Sequence, residues 1–230
     1  MKTVILAGGL GSRLAEETDK VPKPMIKIGD KPIISHIINH YSKYDFSEFI
    51  ICSGYKKEII ENYFNSMKKV QVINTGLETQ TGARIKKIKE YIGKDENFFM
   101  TYGDGLSNIN LKKLLEFHKN NNKIATLSAV RPIPRFGHLT IEGNKVNKFK
   151  EKDSLSEGWI NGGFFVLNSK VFDYIDDKQD CIFEKQPLEN LSKDGELMAF
   201  KHEGFWHPID TLRDKNYLNE IYAKGNAPWL

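Results

Sequence analysis

The sequence has little of what marks secreted, membrane-spanning or nucleic-acid-binding proteins. Its two cysteines in 230 residues exclude a disulfide framework and favour a reducing compartment. No apolar run approaches the ~20 residues that cross a bilayer, so we expect no membrane partner. Met1-Lys2 leads directly into an apolar segment, which predicts no signal peptide and a cytoplasmic location. The net charge of +4 is too small to favour nucleic acid.

What the sequence does contain is an alternation of apolar and amphipathic segments. Strand patterns occupy residues 3–7, 49–53, 70–74, 98–102 and 125–130, and helical patterns occupy residues 33–44, 56–64, 81–91 and 111–120. This alternation predicts an α/β fold with a mostly parallel sheet. Ligands of such sheets bind beyond the carboxyl ends of the strands. We therefore expect the glycines after the first strand and Asp104 to share one edge.

The second half of the chain has a different pattern. Residues 139–142 and 146–150 flank Gly143-Asn144 and predict a hairpin. A strand at residues 163–167, a short helix from Ser169 and a closing helix at residues 212–224 follow. Because the sequence shows no repeat, linker or low-complexity tract, we expect one domain over residues 1–230.

The first 24 residues carry the clearest chemical signal. An apolar strand leads into the glycine-rich stretch Ala-Gly-Gly-Leu-Gly-Ser-Arg-Leu at residues 7–14, and Lys23 follows between two prolines. Leu14 stands where a dinucleotide fingerprint needs glycine, and no Gly-Lys-Ser/Thr follows at Walker A spacing. Bare backbone next to fixed positive charge suits a triphosphate. The alternative is a strand-to-helix turn without a ligand.

This combination resembles the nucleotidylyltransferases that make nucleotide-sugars, and most closely their glucose-1-phosphate cytidylyltransferase branch. Further motifs occur in family order at residues 102–105, 135–137, 151–152, 160–166 and 204–214. The resemblance implies a Rossmann-like three-layer sandwich with a mixed, mostly parallel sheet, of the nucleotide-diphospho-sugar transferase type. It also implies transfer of CMP from CTP to a small phosphorylated acceptor. On this view residues 1–130 form the nucleotide-binding half and residues 131–230 the acceptor-binding half.

The resemblance assigns the nucleotide site residue by residue. Arg13 and Lys23 match the catalytic cations that hold the triphosphate and stabilise the leaving pyrophosphate. Surface cations are the alternative. The implied nucleotide-binding residues are Leu6, Ala7, Gly8, Gly9, Gly11, Ser12, Thr81, Gly82, Tyr102 and Gly103.

Two aspartates match the family's Mg²⁺ ligands, Asp104 and Asp210. Mg²⁺ prefers one or two carboxylates together with substrate phosphates. On the sequence alone, Asp104 between two glycines is equally a turn residue. Asp210 is equally a helix N-cap.

The acceptor side is assigned in the same way. The implied acceptor-binding residues are Arg135, Gly137, Glu151, Lys152, Asn161 and Gly162. The family has Glu-Lys-Pro where this chain has Glu-Lys-Asp, so Glu151-Lys152 remains open to being a surface charge pair. His207 lies within the Asp210 motif and is a further candidate for ligand contact.

Two departures from the family bear on base, acceptor and assembly. Residues 81–84, Thr-Gly-Ala-Arg, nearly match the Thr-Gly-Gly-Arg of the cytidylyltransferase branch, and Thr81 could also cap the helix that follows. The connection at residues 64–70 is shorter than in the glucose-1-phosphate enzymes, which predicts a homo-oligomer no larger than a dimer. A shortened enzyme of this branch resembles the cytidylyltransferases of capsular phosphoramidate synthesis. L-glutamine phosphate is therefore the first expected acceptor, and glucose 1-phosphate is the alternative.

Two other functional classes of protein are alternatives to a nucleotidylyltransferase. A glycosyltransferase that uses nucleotide-sugars would carry Asp-x-Asp at the metal strand, where this chain has Asp104-Gly105-Leu106. A silent nucleotide-binding module would lose Lys23 or a metal aspartate, and all three residues are present.

Overall fold

The structure is a computed structural model that describes residues 1–131, 138–150 and 158–230. Within these residues the strands are β1 (Lys2–Ala7), β2 (Lys27–Ile28), β3 (Lys31–Pro32), β4 (Glu48–Ser53), β5 (Val70–Asn74), β6 (Asn97–Tyr102), β7 (Gly105–Ser107), β8 (Ala125–Val130), β9 (His138–Glu142), β10 (Lys145–Lys150), β11 (Ile160–Asn168), β12 (Leu197–His202) and β13 (Trp206–Pro208). The helices of the same residues are α1 (Ala15–Thr18), α2 (Ile33–Ser42), α3 (Lys57–Phe64), α4 (Thr81–Lys87), α5 (Lys89–Ile92), α6 (Leu111–Asn121), α7 (Gln186–Lys193) and α8 (Leu212–Ala223).

One sheet of seven strands organises the chain, in the order β12-β8-β11-β6-β1-β4-β5. Six of these strands run in the same direction, while β11 is antiparallel to its neighbours β6 and β8. The mixed, mostly parallel sheet is therefore confirmed. Because β11 runs the other way, its first residues lie at the edge where the other six strands end.

Helices cover both faces of this sheet, which makes three layers. Successive residues of a strand point to opposite faces, and β1 shows this directly. Ile5 belongs to a buried cluster with Tyr41 of α2 and Trp229 near the chain end. Val4 and Leu6 belong to a second cluster with Ile85 of α4 and Phe172. Burial on both faces explains why residues 4–7 of β1 form a continuous apolar run.

Several elements differ from the sequence prediction. The helix expected at residues 81–91 is divided into α4 and α5 at Ile88, which has φ −98° and ψ 8°. Ile85, Ile88 and Ile92 all belong to the same buried cluster, as their i, i+3, i+7 spacing would also place them on one face of an unbroken helix. The helix expected from Ser169 is a short 3₁₀ segment, Ser169–Tyr174. The sequence analysis did not predict α7 or the edge strand β12, although it did predict the β9–β10 hairpin.

None of the helices in the described ranges is both long enough and apolar enough to cross a membrane.

Candidate active site

Two adjoining cavities open where β1 and β6 end. The larger has a volume of about 490 Å³ and the smaller about 240 Å³. Arg13, Tyr102, Asp104 and Asn161 line both cavities. The predicted nucleotide residues that line the larger cavity are Leu6, Ala7, Gly8, Gly9, Gly11, Thr81, Tyr102 and Gly103. The smaller cavity is bounded by Asn161, Gly162, Trp206 and Asp210.

Lys23 lies at the centre of the site, between the two predicted metal ligands. Its ammonium donates to Asp104 Oδ2 at 2.6 Å and to Asp210 Oδ1 at 2.8 Å. Burial lowers the pKa of the Lys23 ammonium, but the two carboxylates outweigh burial, and the pKa lies above its ordinary value. The side chain is therefore a fixed positive charge throughout the neutral range.

The second predicted cation, Arg13, stands at the mouth of the site. Its Nη1 donates to Asp210 Oδ2 at 2.9 Å, yet 74% of the side chain is exposed against 10% for Lys23. An exposed guanidinium with one ion pair can turn at little cost, since surface ion pairs are weak. Arg13 can therefore reach an anion that enters the larger cavity.

The loop after β1 needs glycine at two positions. A Cβ on Gly8 would lie 2.1 Å from the guanidinium of Arg84. Gly11 has φ +67°, and a Cβ there would meet Thr18 at 2.8 Å. A Cβ on Gly9 would meet nothing within 4 Å. The loop is thus packed tightly behind Gly8 and open in front of Gly9, as a phosphate-binding loop requires.

Arg84 fixes this loop from behind. Its guanidinium donates to the carbonyl oxygens of Gly8, Ser53 and Gly76 at 2.9, 3.1 and 2.8 Å, and to the Thr75 hydroxyl at 2.6 Å. These acceptors stand at or just beyond the carboxyl ends of β1, β4 and β5. One side chain, 3% exposed, therefore joins three parallel strand ends.

Asp104 and Asp210 are brought together by a short ladder, although 106 positions separate them in the sequence. β7 follows Asp104, β13 precedes Asp210, and the two strands pair antiparallel. The Ile209 N–H also donates to the Asp104 carbonyl at 2.9 Å. Asp104 does occupy a turn, as one alternative expected. Asp210 is not the N-cap of α8, because Thr211 is, in a capping box with Asp214.

These two carboxylates fit a divalent ion. Both reach one ammonium within hydrogen-bond distance, so they are close enough to share an ion. Among the described residues no group of three or more His, Cys, Asp or Glu side chains gathers as a metal site. A two-carboxylate site completed by phosphates and water is the type that Mg²⁺ favours.

Thr81 does not cap α4, contrary to the sequence expectation. Gln80 is the N-cap residue and makes no side-chain capping bond. The Thr81 hydroxyl instead donates to Glu184 Oε2 at 2.5 Å. Because the Thr81 hydroxyl is hydrogen-bonded to the Glu184 carboxylate, it does not cap α4.

Other predicted residues are placed as follows. Ser12 is exposed and Gly82 packs against Cys181, and neither residue lines a cavity. His207 is 6% exposed and stacks on Phe205 and Tyr217 rather than facing ligand space. Arg135, Gly137, Glu151 and Lys152 lie outside the described residues.

The predicted site omitted several lining residues, among them Arg84, Trp206 and Glu184. Arg84 and Trp206 stood within motifs that the sequence analysis had quoted, and Trp206 Nε1 donates to the Gly162 carbonyl at 2.7 Å. Glu184 lines the larger cavity. It follows Ile182-Phe183 and lies in none of the quoted motifs, so the sequence around it did not identify it as a site residue.

Comparison with known proteins agrees with this geometry. A family model described as nucleotidyl transferase matches residues 2–222. The glucose-1-phosphate cytidylyltransferase of Salmonella typhi is 46% identical over 254 aligned positions that cover 100% of this chain and 98% of that protein. The probable glucose-1-phosphate cytidylyltransferase of Bacillus subtilis is 43% identical over 100% of this chain and 99% of that protein. The crystal structure of HddC from Yersinia pseudotuberculosis with GMP-PN superimposes with a TM-score of 0.75 at 28% identity, covering 96% of this chain and 99% of that one.

Proposed function

This chain belongs to the nucleotidyl transferase family, and on that premise we propose that it transfers CMP from CTP to the phosphate of a small acceptor and releases pyrophosphate. Cytidylyltransferase activity is supported by full-length relatives at 43–46% identity. The observation that carries the proposal is Lys23, a buried ammonium held between two carboxylates directly behind the glycine loop.

The reaction needs no nucleophile from the protein. Phosphate monoesters such as glucose 1-phosphate lose their second proton with a pKa of about 6, so they bring their own anionic oxygen, and the phosphoryl group of L-glutamine phosphate would supply its oxygen in the same way. That oxygen attacks the α-phosphorus of CTP, an O–P bond forms, and the bond from the α-phosphorus to the bridging oxygen of the pyrophosphate breaks. The two substrates suit the two adjoining cavities, with CTP in the larger and the acceptor in the smaller.

Two side chains meet the charge that develops on pyrophosphate. Lys23 supplies a buried point charge, while Arg13 supplies a planar fork that matches phosphate oxygens. Fixed cations stabilise the transition state more than the ground state, since the leaving group gains charge as the bond breaks.

The proposed cofactor is Mg²⁺, held by Asp104 and Asp210. Enzymes of this family generally use a divalent metal. Bound there, the ion would neutralise and orient phosphate oxygens. The same two carboxylates form ion pairs with the Lys23 ammonium.

For the acceptor we propose L-glutamine phosphate, which would place the enzyme in capsular phosphoramidate synthesis. The Salmonella typhi relative aligns over 254 positions whereas this chain has 230 residues, so 24 aligned positions are gaps here. The connection between α3 and β5, from Phe64 to Val70, is only a few residues long. A shortened chain supports the acceptor that the sequence analysis placed first.

The second candidate is glucose 1-phosphate, which would give CDP-glucose. It is favoured by the names of the two relatives described above, both glucose-1-phosphate cytidylyltransferases.

We further propose a cytoplasmic enzyme that works as a homodimer, with no nucleic-acid or membrane partner. The short Phe64–Val70 connection supports the small assembly. Light scattering of the purified protein tests this point, and a hexamer would contradict it.

One assay decides among these proposals. Pyrophosphate release is measured with CTP and Mg²⁺ against L-glutamine phosphate and, separately, α-D-glucose 1-phosphate. Turnover on the first alone supports the phosphoramidate reading. Turnover on the second alone replaces it with CDP-glucose synthesis, and silence with both rejects the two acceptors. Repeating the assay with UTP and GTP tests the choice of CTP.

A further inference from the structure

Glu184 joins two hydroxyl groups across the larger cavity. Its Oε2 accepts a hydrogen bond from Thr81 Oγ1 at 2.5 Å, and its Oε1 accepts one from the Tyr102 hydroxyl. An ionised carboxylate can only accept. Both hydroxyl protons must therefore point at Glu184.

This fixes the direction of the next hydrogen bond. With its proton committed to Glu184, the Tyr102 oxygen can only accept, and Asn161 Nδ2 donates to it at 3.4 Å. At the other end of the same amide, Asn161 Oδ1 accepts from the Gly163 N–H at 2.9 Å. The orientation of the Asn161 amide is thus set by its neighbours on both sides.

The chain of bonds runs from one substrate region to the other. Thr81 begins α4 on the nucleotide side, Tyr102 ends β6, and Asn161 stands near the start of β11. Tyr102 and Asn161 line both cavities. An amide held in this way has one N–H bound to Tyr102 and a second N–H left over for a ligand.

We propose that Glu184 is a positioning residue that acts through Tyr102 to hold the Asn161 amide as a donor toward an anionic oxygen of the acceptor. The inference rests on the proposed function, because it takes the smaller cavity as the acceptor site. Glu184 itself need not touch the acceptor.

Glu184→Gln disrupts the order of donors and acceptors in this series of hydrogen bonds, while the shape of the side chain hardly changes. A glutamine has one oxygen for two hydroxyl donors, so one hydroxyl loses its acceptor. If Tyr102 loses it, its proton turns toward Asn161, and two donors face each other. A purely structural role for Glu184 would lower stability without selecting one substrate.

The kinetic test compares Glu184→Gln with Glu189→Gln, an exposed glutamate on α7. We expect the KM for the acceptor to rise roughly tenfold in Glu184→Gln, as loss of about 1.4 kcal/mol of binding would give, and the KM for CTP, whose cavity Glu184 also lines, to rise clearly less. The double variant with Tyr102→Phe should be no worse than the more impaired single variant, because both changes break one chain. An unchanged acceptor KM, equal rises for both substrates, or additive effects would overturn the proposal.

A second measurement does not depend on turnover. The side-chain amide signals of Asn161, assigned in a ¹⁵N–¹H spectrum by their loss in Asn161→Asp, should shift in Glu184→Gln and in Tyr102→Phe but not in Glu189→Gln. Unshifted signals would reject the positioning role even in an active enzyme. If wild-type protein is inactive with both acceptors while the signals shift, the proposed function fails and the fixed amide stands. If Glu184→Gln does not fold, Tyr102→Phe supplies the same spectrum and the same KM comparison.

Discussion

The proposed nucleotide side and the proposed acceptor side of this site are held in place by different means. On the nucleotide side, the loop after β1 rests on the buried Arg84 guanidinium, whose partners are almost all backbone carbonyls. On the acceptor side, Asn161 and Tyr102 are half-buried and are oriented by one another and by the exposed Glu184. Backbone partners are the same whatever the residue type, whereas side-chain partners change with a single substitution. On the proposed function, a triphosphate site held by backbone carbonyls is combined with an acceptor site held by side chains.

Lys23 belongs to the nucleotide side, and its removal should give the largest effect. Lys23→Ala is expected to lower kcat by about 10²–10³-fold, the size seen when one preorganised stabilising group is deleted. Pyrophosphate release measures this loss, and Lys27→Ala, at an exposed position nearby, is the control. Near-normal release by the Lys23 variant would refute the role.

The two aspartates test whether the centre between the two sides holds a metal. Asp104→Asn and Asp210→Asn should each lower activity by roughly 100-fold, because a divalent ion contributes several kcal/mol of charge stabilisation. They should also abolish the Mg²⁺ dependence of CTP binding, measured by calorimetry. Asp173→Asn, on an exposed side chain, should behave as wild type. A fully active variant would exclude that aspartate as an essential ligand.

The nucleotide side and the acceptor side should also differ in how far one substitution lowers the free energy of unfolding. Arg84→Met leaves several buried acceptors without donors and should lower the free energy of unfolding by roughly 3 kcal/mol, since each such group costs about 1–3 kcal/mol. Tyr102→Phe, on the acceptor side, should cost less than about 1.5 kcal/mol. Urea unfolding at equal protein concentration measures both, with the exposed Arg213→Met as control. Equal losses of unfolding free energy in Arg84→Met and Tyr102→Phe would contradict this difference between the two sides.

We expect the free energy of unfolding to fall as the pH is lowered. Burial lowers the pKa values of His40 and His118 to about 4, so between pH 6.5 and 4 the unfolded state binds more protons than the folded one. Stability must then fall as pH falls through this window, by roughly 2 kcal/mol per histidine at pH 5. Unfolding free energies at pH 7 and pH 5 check this, and His118→Gln should reduce the difference. A pH-independent stability would show that these histidines are not buried as neutral groups.

Much of the fold could be read from the sequence, because β1, β4, β5, β6 and β8 are short apolar strands separated by amphipathic helices. The break at Ile88 could not, since the helical pattern of residues 81–91 continues through it. The edge strand β12 was missed because its residues are half-buried or exposed, so the segment lacks the continuous apolar run of the central strands.

The site, like the fold, could be predicted from the sequence only in part. The positions of Lys23, Asp104 and Asp210 came from motif resemblance, and the structure brings all three within contact. Arg84 could be placed in a motif but not given its role, which requires three strand ends to meet. Glu184 and Tyr102 are far apart in the sequence, and only the fold makes them partners.

The reversed strand β11 has a consequence for the order in which the protein can be made. It lies between β6 and β8, yet residues 160–168 leave the ribosome after both neighbours. The first 130 residues can pair β1 with β4 and β6 as they emerge, but β8 has no place beside β6 until the later strand fills the gap. The two proposed halves of the chain therefore contribute strands to one sheet, and a chain truncated at Val130 would leave β6 and β8 without the strand that lies between them.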